Sequence, residues 1–419
     1  MFNSAARHLR LRLFRLDLFQ LSALGLAGIV VVPIGVILYS VFQPEREILQ
    51  HLLDTVLPTL LLNTLYLSSG VLVCTALLGV SLGWLTGACS FPGRRFFSWA
   101  LTLPMAIPAY VMAFIFIGVM DFTGPVQTAM RTIPGFERSM FEVRSTPFVI
   151  AVISMTLYPY VYLLSRSAFL SQGRALSEAA RTLGVGNWGV FWKVALPVAR
   201  PWIVSGLALV LMETLADFGA VSIFNFNTLT TAIYKAWFGF FSLQAAAQLS
   251  SLLVLFALAL LGVEAVYKSK MRYYANATLG GEHGRIVLKG WKSLAACAFC
   301  SAVVGIAFFL PVAQLLYWVV EGALNRELPN YLSQTGQALF LGIGAALLIC
   351  SCAVLLSYIK RRSPSPINTL LCKISTVGYA LPGTVLAVGI FLPGRWHRSP
   401  NCCCLMNRFP ISMFCCVTD

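Results

Sequence analysis

The sequence predicts an all-α protein whose helices cross a membrane many times, about nine in all. This prediction rests on three observations: the mean hydropathy, the composition and the length of the apolar runs. The mean hydropathy is +0.80, 58% of the 419 residues are hydrophobic, and only 11% are charged. A soluble domain needs more charged residues than this to cover its surface. Several apolar runs also reach the roughly 20 residues that a spanning helix requires.

Nine apolar runs are long enough to serve as spans. Their approximate limits are 20–42, 58–86, 96–119, 146–166, 200–224, 245–267, 291–320, 335–358 and 373–392. The first run follows a basic segment, Arg7 to Arg15. It is too long for the apolar part of a signal peptide, and no clear small-residue cleavage site follows it. We therefore expect a retained first span.

The net charge of +15 is explained by the alternation of the loops between these spans. One set of loops holds 21 of the 30 Lys and Arg residues, and the opposite set holds six. Because Lys and Arg collect on the cytoplasmic side of a membrane protein, the N-terminus is expected in the cytoplasm. The distribution of charge thus predicts that the chain lies in a lipid bilayer. No nucleic-acid partner is expected.

The chain also repeats itself at an offset of 274 residues. This offset pairs Gly70 with Gly344, Pro92 with Pro366, and Pro108 with Pro382. Any two apolar helices share Leu and Val, but matched prolines and glycines favour a true repeat. Repeated halves are common in transporters, where the pathway lies between them.

Four segments follow from this repeat: 1–55 with the first span, 56–270 as a first repeat, 271–392 as a partial second repeat, and 393–419 as an aberrant Cys-rich tail. Five of the twelve cysteines lie in that tail, at Cys402, Cys403, Cys404, Cys415 and Cys416. A metal site or a disulfide cluster would need other spacings. We therefore expect a sequence artefact or a frameshift after Phe391, which leaves the second half incomplete.

A spaced pattern of small and turn-forming residues lies between the fourth and fifth predicted spans. It consists of Glu178, Ala179, Ala180, Gly184, Leu196 and Pro197. A short surface helix here could enter a groove of a soluble partner, with the alanines allowing close approach. Gly184 could end that helix in a left-handed conformation. The alternative is an ordinary cytoplasmic loop helix.

Two carboxylates, Glu213 and Asp217, lie within the fifth predicted span. Their spacing of four places them on one face of a helix, and carboxylates inside a membrane usually face a bundle interior or a pathway. They either line a path for a hard cation or join helices as hydrogen-bonded groups. Gly219, just after them, allows local unwinding or close packing.

Other chemical signals in the sequence are weak. Cys297 and Cys300 have the spacing of a metal or redox pair, but they lie in an apolar run without a second pair, which favours buried thiols packed as small apolar groups. The sequence has no G-x-x-x-x-G-K-[ST] motif, so this chain is expected to bind no ATP through a P-loop. No cofactor of its own is predicted, and metal ligands are unknown.

With these residues in view, the sequence resembles the ferric-iron ABC transporter permeases of bacteria, of the type that fuses two halves. The resemblance covers about 10–392 and is carried by the Glu178 pattern and by the stretches 211–219 and 230–237. It implies a helix bundle of the ABC importer permease type in the bacterial inner membrane, with twelve spans and two docking loops. It also implies that the Glu178 pattern docks an ABC ATPase subunit, that ATP is used by this partner, and that a periplasmic substrate-binding protein delivers the cargo.

The resemblance implies transport by alternating access, driven by a separate ATPase. With one docking loop present, we expect the chain as it stands not to support transport. Three other functions stay open: the same machine with another cargo such as thiamine, a polyamine, sulfate or a phosphonate; a proton-coupled secondary transporter that uses Glu213 and Asp217; and a non-functional truncated remnant.

Overall fold

Helices form nearly all of the described chain, because apolar runs in a membrane must satisfy their backbone hydrogen bonds internally. A computed structural model describes residues 18–40, 42, 57–132, 142–172, 182, 184, 186, 189–269, 285–323, 328–362 and 365–396. The predicted Cys-rich cluster of the tail, at Cys402 to Cys416, lies outside these residues.

The helices of the first part of the chain are α1 (Leu18–Ser40), α2 (Leu57–Ala88), α3 (Arg94–Ala100), α4 (Ala109–Met120), α5 (Pro125–Met130), α6 (Thr146–Ser171), α7 (Leu196–Ala216), α8 (Gly219–Ile223), α9 (Leu229–Tyr234) and α10 (Leu243–Ser269). Those of the second part are α11 (Trp291–Val304), α12 (Leu310–Ala323), α13 (Leu328–Arg362), α14 (Pro366–Val377) and α15 (Gly383–Trp396). In the described part of the chain, two 3₁₀ turns cover Leu103–Ala106 and Gly378–Ala380, and three π-helical turns cover Val190–Ala195, Lys235–Gly239 and Gly305–Phe309. Among the described residues, β1 (Cys89–Ser90) and β2 (Ile286–Val287) form one short parallel ladder.

The all-α membrane fold is confirmed, and the count in the described chain is close to the nine spans expected. Eight of its helices are long and apolar enough to cross a membrane, by length and composition. The ninth predicted span, 373–392, is broken into the end of α14, a 3₁₀ turn and α15. The break lies at Leu381, because a residue that precedes a proline is disfavoured in the helical conformation.

The third predicted span, 96–119, is broken in the same way. Its continuous helix begins only at Ala109, after the 3₁₀ turn and the extended residue Ile107, which has φ −101° and ψ 115° and precedes Pro108. Ile107 and Leu381 are separated by the repeat offset of 274 residues, as are the starts of α4 and α15. The two segments that the repeat pairs therefore have corresponding helix boundaries.

The two halves of the chain are interlocked through α1 and α12. α1 packs on α14 and α15, where an ideal Cβ on Gly389 would lie 2.6 Å from the backbone oxygen of Pro33. In the corresponding position of the other half, α12 packs on α4, with the ring centroids of Phe114 and Trp318 separated by 5.5 Å. Each half thus places its first span against the other half.

The core of the first half is built on the contact between α2 and α6. Apolar side chains of α2, α4, α6, α7 and α8 form the largest buried cluster. A second cluster joins α3, α6 and α11 and contains Cys300, which is fully buried among them. The interpretation of Cys300 as a small apolar core residue is confirmed. By contrast, most of the described side chains of α13 are exposed, as expected of a helix that faces lipid or another chain.

Candidate functional site

The predicted docking segment lies between the end of α6 and the start of α7. Glu178, Ala179 and Ala180 lie outside the described residues. Gly184 has φ 79°, the left-handed conformation that glycine adopts without strain. Leu196 and Pro197 form the first turn of α7, where a proline is favoured because its missing N–H has no helical partner.

The two ends of this segment are held together by a hydrogen bond. The Nε2 atom of Gln172, just after α6, donates to the backbone oxygen of Ala195 over 2.9 Å. This bond ties the residue just after α6 to the residue just before α7.

An aromatic cluster forms the base of the docking segment. Phe191, in the π-helical turn, contacts Trp84 of α2, with their ring centroids 5.0 Å apart. Phe169 of α6 completes the cluster, with its ring 5.2 Å from that of Trp84 and 6.4 Å from that of Phe191. Large rings pack closely, so they link the π-helical turn before α7 to α2 and α6. No local sequence pattern marks this cluster, since the three residues come from separate segments of the chain.

A line of glycines brings α2 into close contact with α6. Gly79, Gly83 and Gly87 are spaced four residues apart, and an ideal Cβ on Gly79 would lie 2.6 Å from the Cβ atom of Val161. The hydroxyl of Ser165 donates to the backbone oxygen of Gly79 over 2.9 Å. Small residues at this spacing are a known signal for close packing of membrane helices. The contact between α2 and α6 could therefore have been predicted from the sequence.

The two predicted pathway carboxylates do not share one helix face. α7 ends at Ala216, and Asp217 has φ −70° and ψ 116°, so the expectation of one continuous helix is wrong. The chain turns here because the Asp217 Oδ1 atom accepts a hydrogen bond from the backbone N–H of Ala220, over 3.0 Å, and so starts α8. Both roles suggested for Gly219 are present, since the chain unwinds beside it and its Cα lies close to Tyr110.

The two carboxylate oxygens of Asp217 differ in their hydrogen bonding. Among the described residues, its Oδ2 atom is buried and has no hydrogen-bond partner. Its backbone oxygen accepts a hydrogen bond from the hydroxyl of Thr230, over 3.0 Å. A buried polar oxygen without a partner is costly, which makes Asp217 a candidate contact for a passing ion or a water molecule.

Glu213 is joined to the second half of the chain. Its Oε1 atom accepts a short hydrogen bond from the hydroxyl of Tyr379, which lies in the 3₁₀ turn between α14 and α15. Tyr160 of α6 lies beside both groups, close enough for its hydroxyl to interact with them. Three oxygen-bearing side chains therefore gather where α6, α7 and the second half meet: Tyr160, Glu213 and Tyr379. Asp217 lies just after the end of α7, near enough to Glu213 for their charges to interact.

Tyr160 and Tyr379 were absent from the predicted site. A tyrosine in an apolar run is too common to indicate a site. The one available signal was that Tyr379 lies three residues before Pro382, a proline that the repeat matches. Among the described residues, no three His, Cys, Asp or Glu side chains are grouped as metal ligands. The site is thus a pair of carboxylates with neighbouring hydroxyls.

The sequence matches a known family of membrane proteins. A family model described as "Binding-protein-dependent transport system inner membrane component" matches residues 79–273, a range that contains the docking segment and both carboxylates. The match begins at Gly79, the first of the three packing glycines.

Curated proteins similar to this chain include permeases named for iron, molybdenum and sulfate transport. The "Fe(3+)-transport system permease protein FbpB 2" of Haemophilus influenzae is 27% identical over 336 residues, which are 79% of this chain and 62% of that protein. The "Molybdenum transport system permease protein ModB" of Escherichia coli is 30% identical over 179 residues, 41% of this chain and 76% of that protein. The "Sulfate transport system permease protein CysW" of Escherichia coli is 27% identical over 198 residues, 47% of this chain and 66% of that protein. The chain thus spans somewhat less than two thirds of the first of these relatives.

Proposed function

Because the chain belongs to the family of binding-protein-dependent transport system inner membrane components, the permeases of ABC importers, we propose that it is the membrane subunit of an importer that moves ferric iron inward across the bacterial inner membrane. In this proposal the N-terminus is cytoplasmic, and the energy comes from ATP hydrolysed by a separate ATPase subunit. A periplasmic substrate-binding protein delivers the cargo. The observation that carries the cargo assignment is the gathering of Glu213 with the hydroxyls of Tyr160 and Tyr379, with Asp217 near enough for its charge to interact with Glu213.

The docking segment is the proposed point at which the ATPase acts. A surface helix that contains Glu178 would enter a groove of the ATPase. Movement of this helix would reach α7 directly, and it would reach α2 and α6 through the cluster of Trp84, Phe169 and Phe191. Because α2 and α6 are in close contact, α2, α6 and α7 would then move together as one rigid body.

Alternating access requires the two halves to separate on one side and close on the other. The hydrogen bond from Tyr379 to Glu213 lies between them, so it would break when the halves move apart. Loss of this hydrogen bond would leave the Glu213 carboxylate available to a cation. This provides a physical link between the motion and the passage of the cargo.

Ferric iron is favoured over the cargoes of the other named relatives by charge. Hard cations bind carboxylate and other oxygen ligands. Molybdate and sulfate are anions, and the two carboxylates would repel them strongly at low dielectric constant. A relative of this chain is named for Fe³⁺ transport, which supports the same cargo.

The docking proposal is tested by co-purification of the ATPase encoded with this chain. Glu178→Arg should reduce the amount of ATPase recovered by about tenfold or more, because it reverses a charge in the binding helix. Glu142→Arg, in a loop on the opposite predicted side, is the matched control and should recover as much as the wild type. Equal recovery with Glu178→Arg would count against docking through this segment.

The cargo proposal is tested with the assembled complex in lipid vesicles. Its ATP hydrolysis is measured with the binding protein of the same system, either empty or loaded with ferric iron, molybdate or sulfate. Stimulation by the iron-loaded form alone is the expected result. Stimulation by a protein loaded with an oxyanion would reject iron as the cargo while leaving the importer assignment in place.

A further inference from the structure

We propose that Arg94, Arg95 and Arg285 form a binding site for a phosphate group at the membrane surface, presented by an anionic lipid headgroup or by free phosphate. The three side chains line one pocket of about 410 Å³. The other lining residues are Ser90, Phe91 and Gly93. Among the described residues that line this pocket, none is acidic.

The pocket exists because two distant segments are paired there. β1 and β2 form a parallel ladder with Cys89 opposite Ile286, and the backbone N–H of Leu288 donates to the oxygen of Ser90 over 3.1 Å. Arg285 immediately precedes β2, so this ladder fixes it beside the turn that follows β1. The positive charges are therefore gathered by backbone pairing between the two halves.

The turn after β1 sets the direction of the other two arginines. Gly93 has φ 74°, a left-handed conformation that only glycine adopts without strain. The Nη1 atom of Arg94 then donates to the backbone oxygen of Thr86, over 3.0 Å, at the end of α2. This bond orients the side chain, and planar guanidinium groups bind phosphate in a bidentate manner.

The surroundings of the pocket are those of a membrane surface. All three arginines belong to the loops that hold most of the Lys and Arg residues. Trp99 and Trp291 stand nearby in the chain with 54% and 75% of their surfaces exposed, and exposed Trp is enriched at the headgroup level. Basic pockets between spans on this side of a membrane suit anionic headgroups.

The test uses the purified full-length chain in a zwitterionic detergent. Native mass spectrometry counts the lipid retained after addition of equal amounts of phosphatidylglycerol and phosphatidylcholine. The wild type should retain phosphatidylglycerol in preference. In Arg95→Gln/Arg285→Gln the affinity for it should fall by about fivefold per arginine, or roughly 25-fold in all. Arg94 is left unchanged because it also holds the end of α2.

Two further variants separate a loss of charge from a loss of structure. Lys360→Gln/Arg361→Gln removes two cations on the same predicted side, at the end of α13, and should bind as the wild type does. Arg95→Lys/Arg285→Lys preserves the charge and should retain most of the affinity. Equal retention of both lipids by the wild type, or unchanged retention by Arg95→Gln/Arg285→Gln, would overturn the proposal.

A parallel titration with inorganic phosphate identifies the source of the phosphate group. Displacement of the lipid by millimolar phosphate, in the wild type and in Lys360→Gln/Arg361→Gln alike, would assign the site to free phosphate. Retention of the lipid at the same concentrations would assign it to a headgroup. Both results support the site, and they decide between its two possible ligands.

Discussion

Tyr379 donates a hydrogen bond to the Oε1 atom of Glu213, a residue that lies 166 positions earlier in the chain. Tyr379 belongs to the break between α14 and α15, and Glu213 lies in the last turn of α7. The bond therefore joins the two halves at the level of the carboxylate pair. A proline-dependent break in one half supplies the partner of a carboxylate in the other.

The first prediction concerns this bond. Tyr379→Phe and Glu213→Gln should each lower the thermal unfolding temperature of the purified chain, and the double variant should lose less than the sum of the two. Hydrogen bonds to charged groups contribute about 1.5–3 kcal/mol, and residues in contact show non-additive effects. Tyr317→Phe, at an exposed tyrosine of α12, should combine additively with Glu213→Gln. Additive losses for the Tyr379 pair would contradict the contact.

The second prediction concerns the close contact of α2 with α6. Gly79→Ala should destabilise the chain by about 1–3 kcal/mol, because the new methyl group would overlap Val161 and the backbone nitrogen of Tyr162. Gly342→Ala is the matched control, since nothing lies within 4 Å of an added Cβ there. It should stabilise α13 by up to about 1 kcal/mol. Thermal unfolding in detergent measures both, and equal effects would refute the packing role of Gly79.

The third prediction concerns the aromatic base of the docking segment. Phe191→Ala should leave the ATPase bound to the complex but reduce by several-fold the stimulation of its ATP hydrolysis by the loaded binding protein. The reason is that the docking segment would lose its packing against Trp84 and Phe169. Phe340→Ala, which removes an exposed ring of α13, is the control. Full stimulation with Phe191→Ala would show that the force does not pass through this cluster.

The fourth prediction concerns the thiol of Cys89, beside the arginine-lined pocket. Burial raises the pKa of this thiol from 9.0 to about 12, because removal from water disfavours the thiolate. The thiolate is the reactive form, so Cys89 should resist a water-soluble maleimide at pH 7 to 8.5. Ser90→Cys, at the next and less buried position, should react readily. Peptide mapping by mass spectrometry compares the two sites, and rapid labelling of Cys89 would contradict its burial.

Composition and the distribution of charge predicted the membrane fold and eight of its spans, because each depends on local sequence alone. The repeat was also recognisable in the sequence, since matched prolines such as Pro108 and Pro382 are more distinctive than matched apolar residues. The division of the ninth predicted span was missed for a related reason. Hydropathy does not register that the residue before a proline leaves the helix, and Leu381 does so as Ile107 does.

The candidate site was predicted only in part. Glu213, Asp217 and Gly219 were identified because carboxylates are rare in apolar runs, and Gly184 because glycine suits a left-handed turn. Their arrangement was not predictable, since the hydrogen bond from Ala220 to Asp217 turns the chain and places the two carboxylates on different elements.

The sequence by itself determined that the chain is a helical membrane protein, and it predicted a docking pattern and a repeat, because apolar length, charge bias and spacing can be read directly along the chain. Only the tertiary structure decided which distant groups meet. It brought Tyr379 to Glu213, Phe191 to Trp84, and Arg285 to Arg94, since such contacts depend on how the two halves interlock. That packing is set by shape complementarity over the whole bundle, which no local stretch of sequence contains.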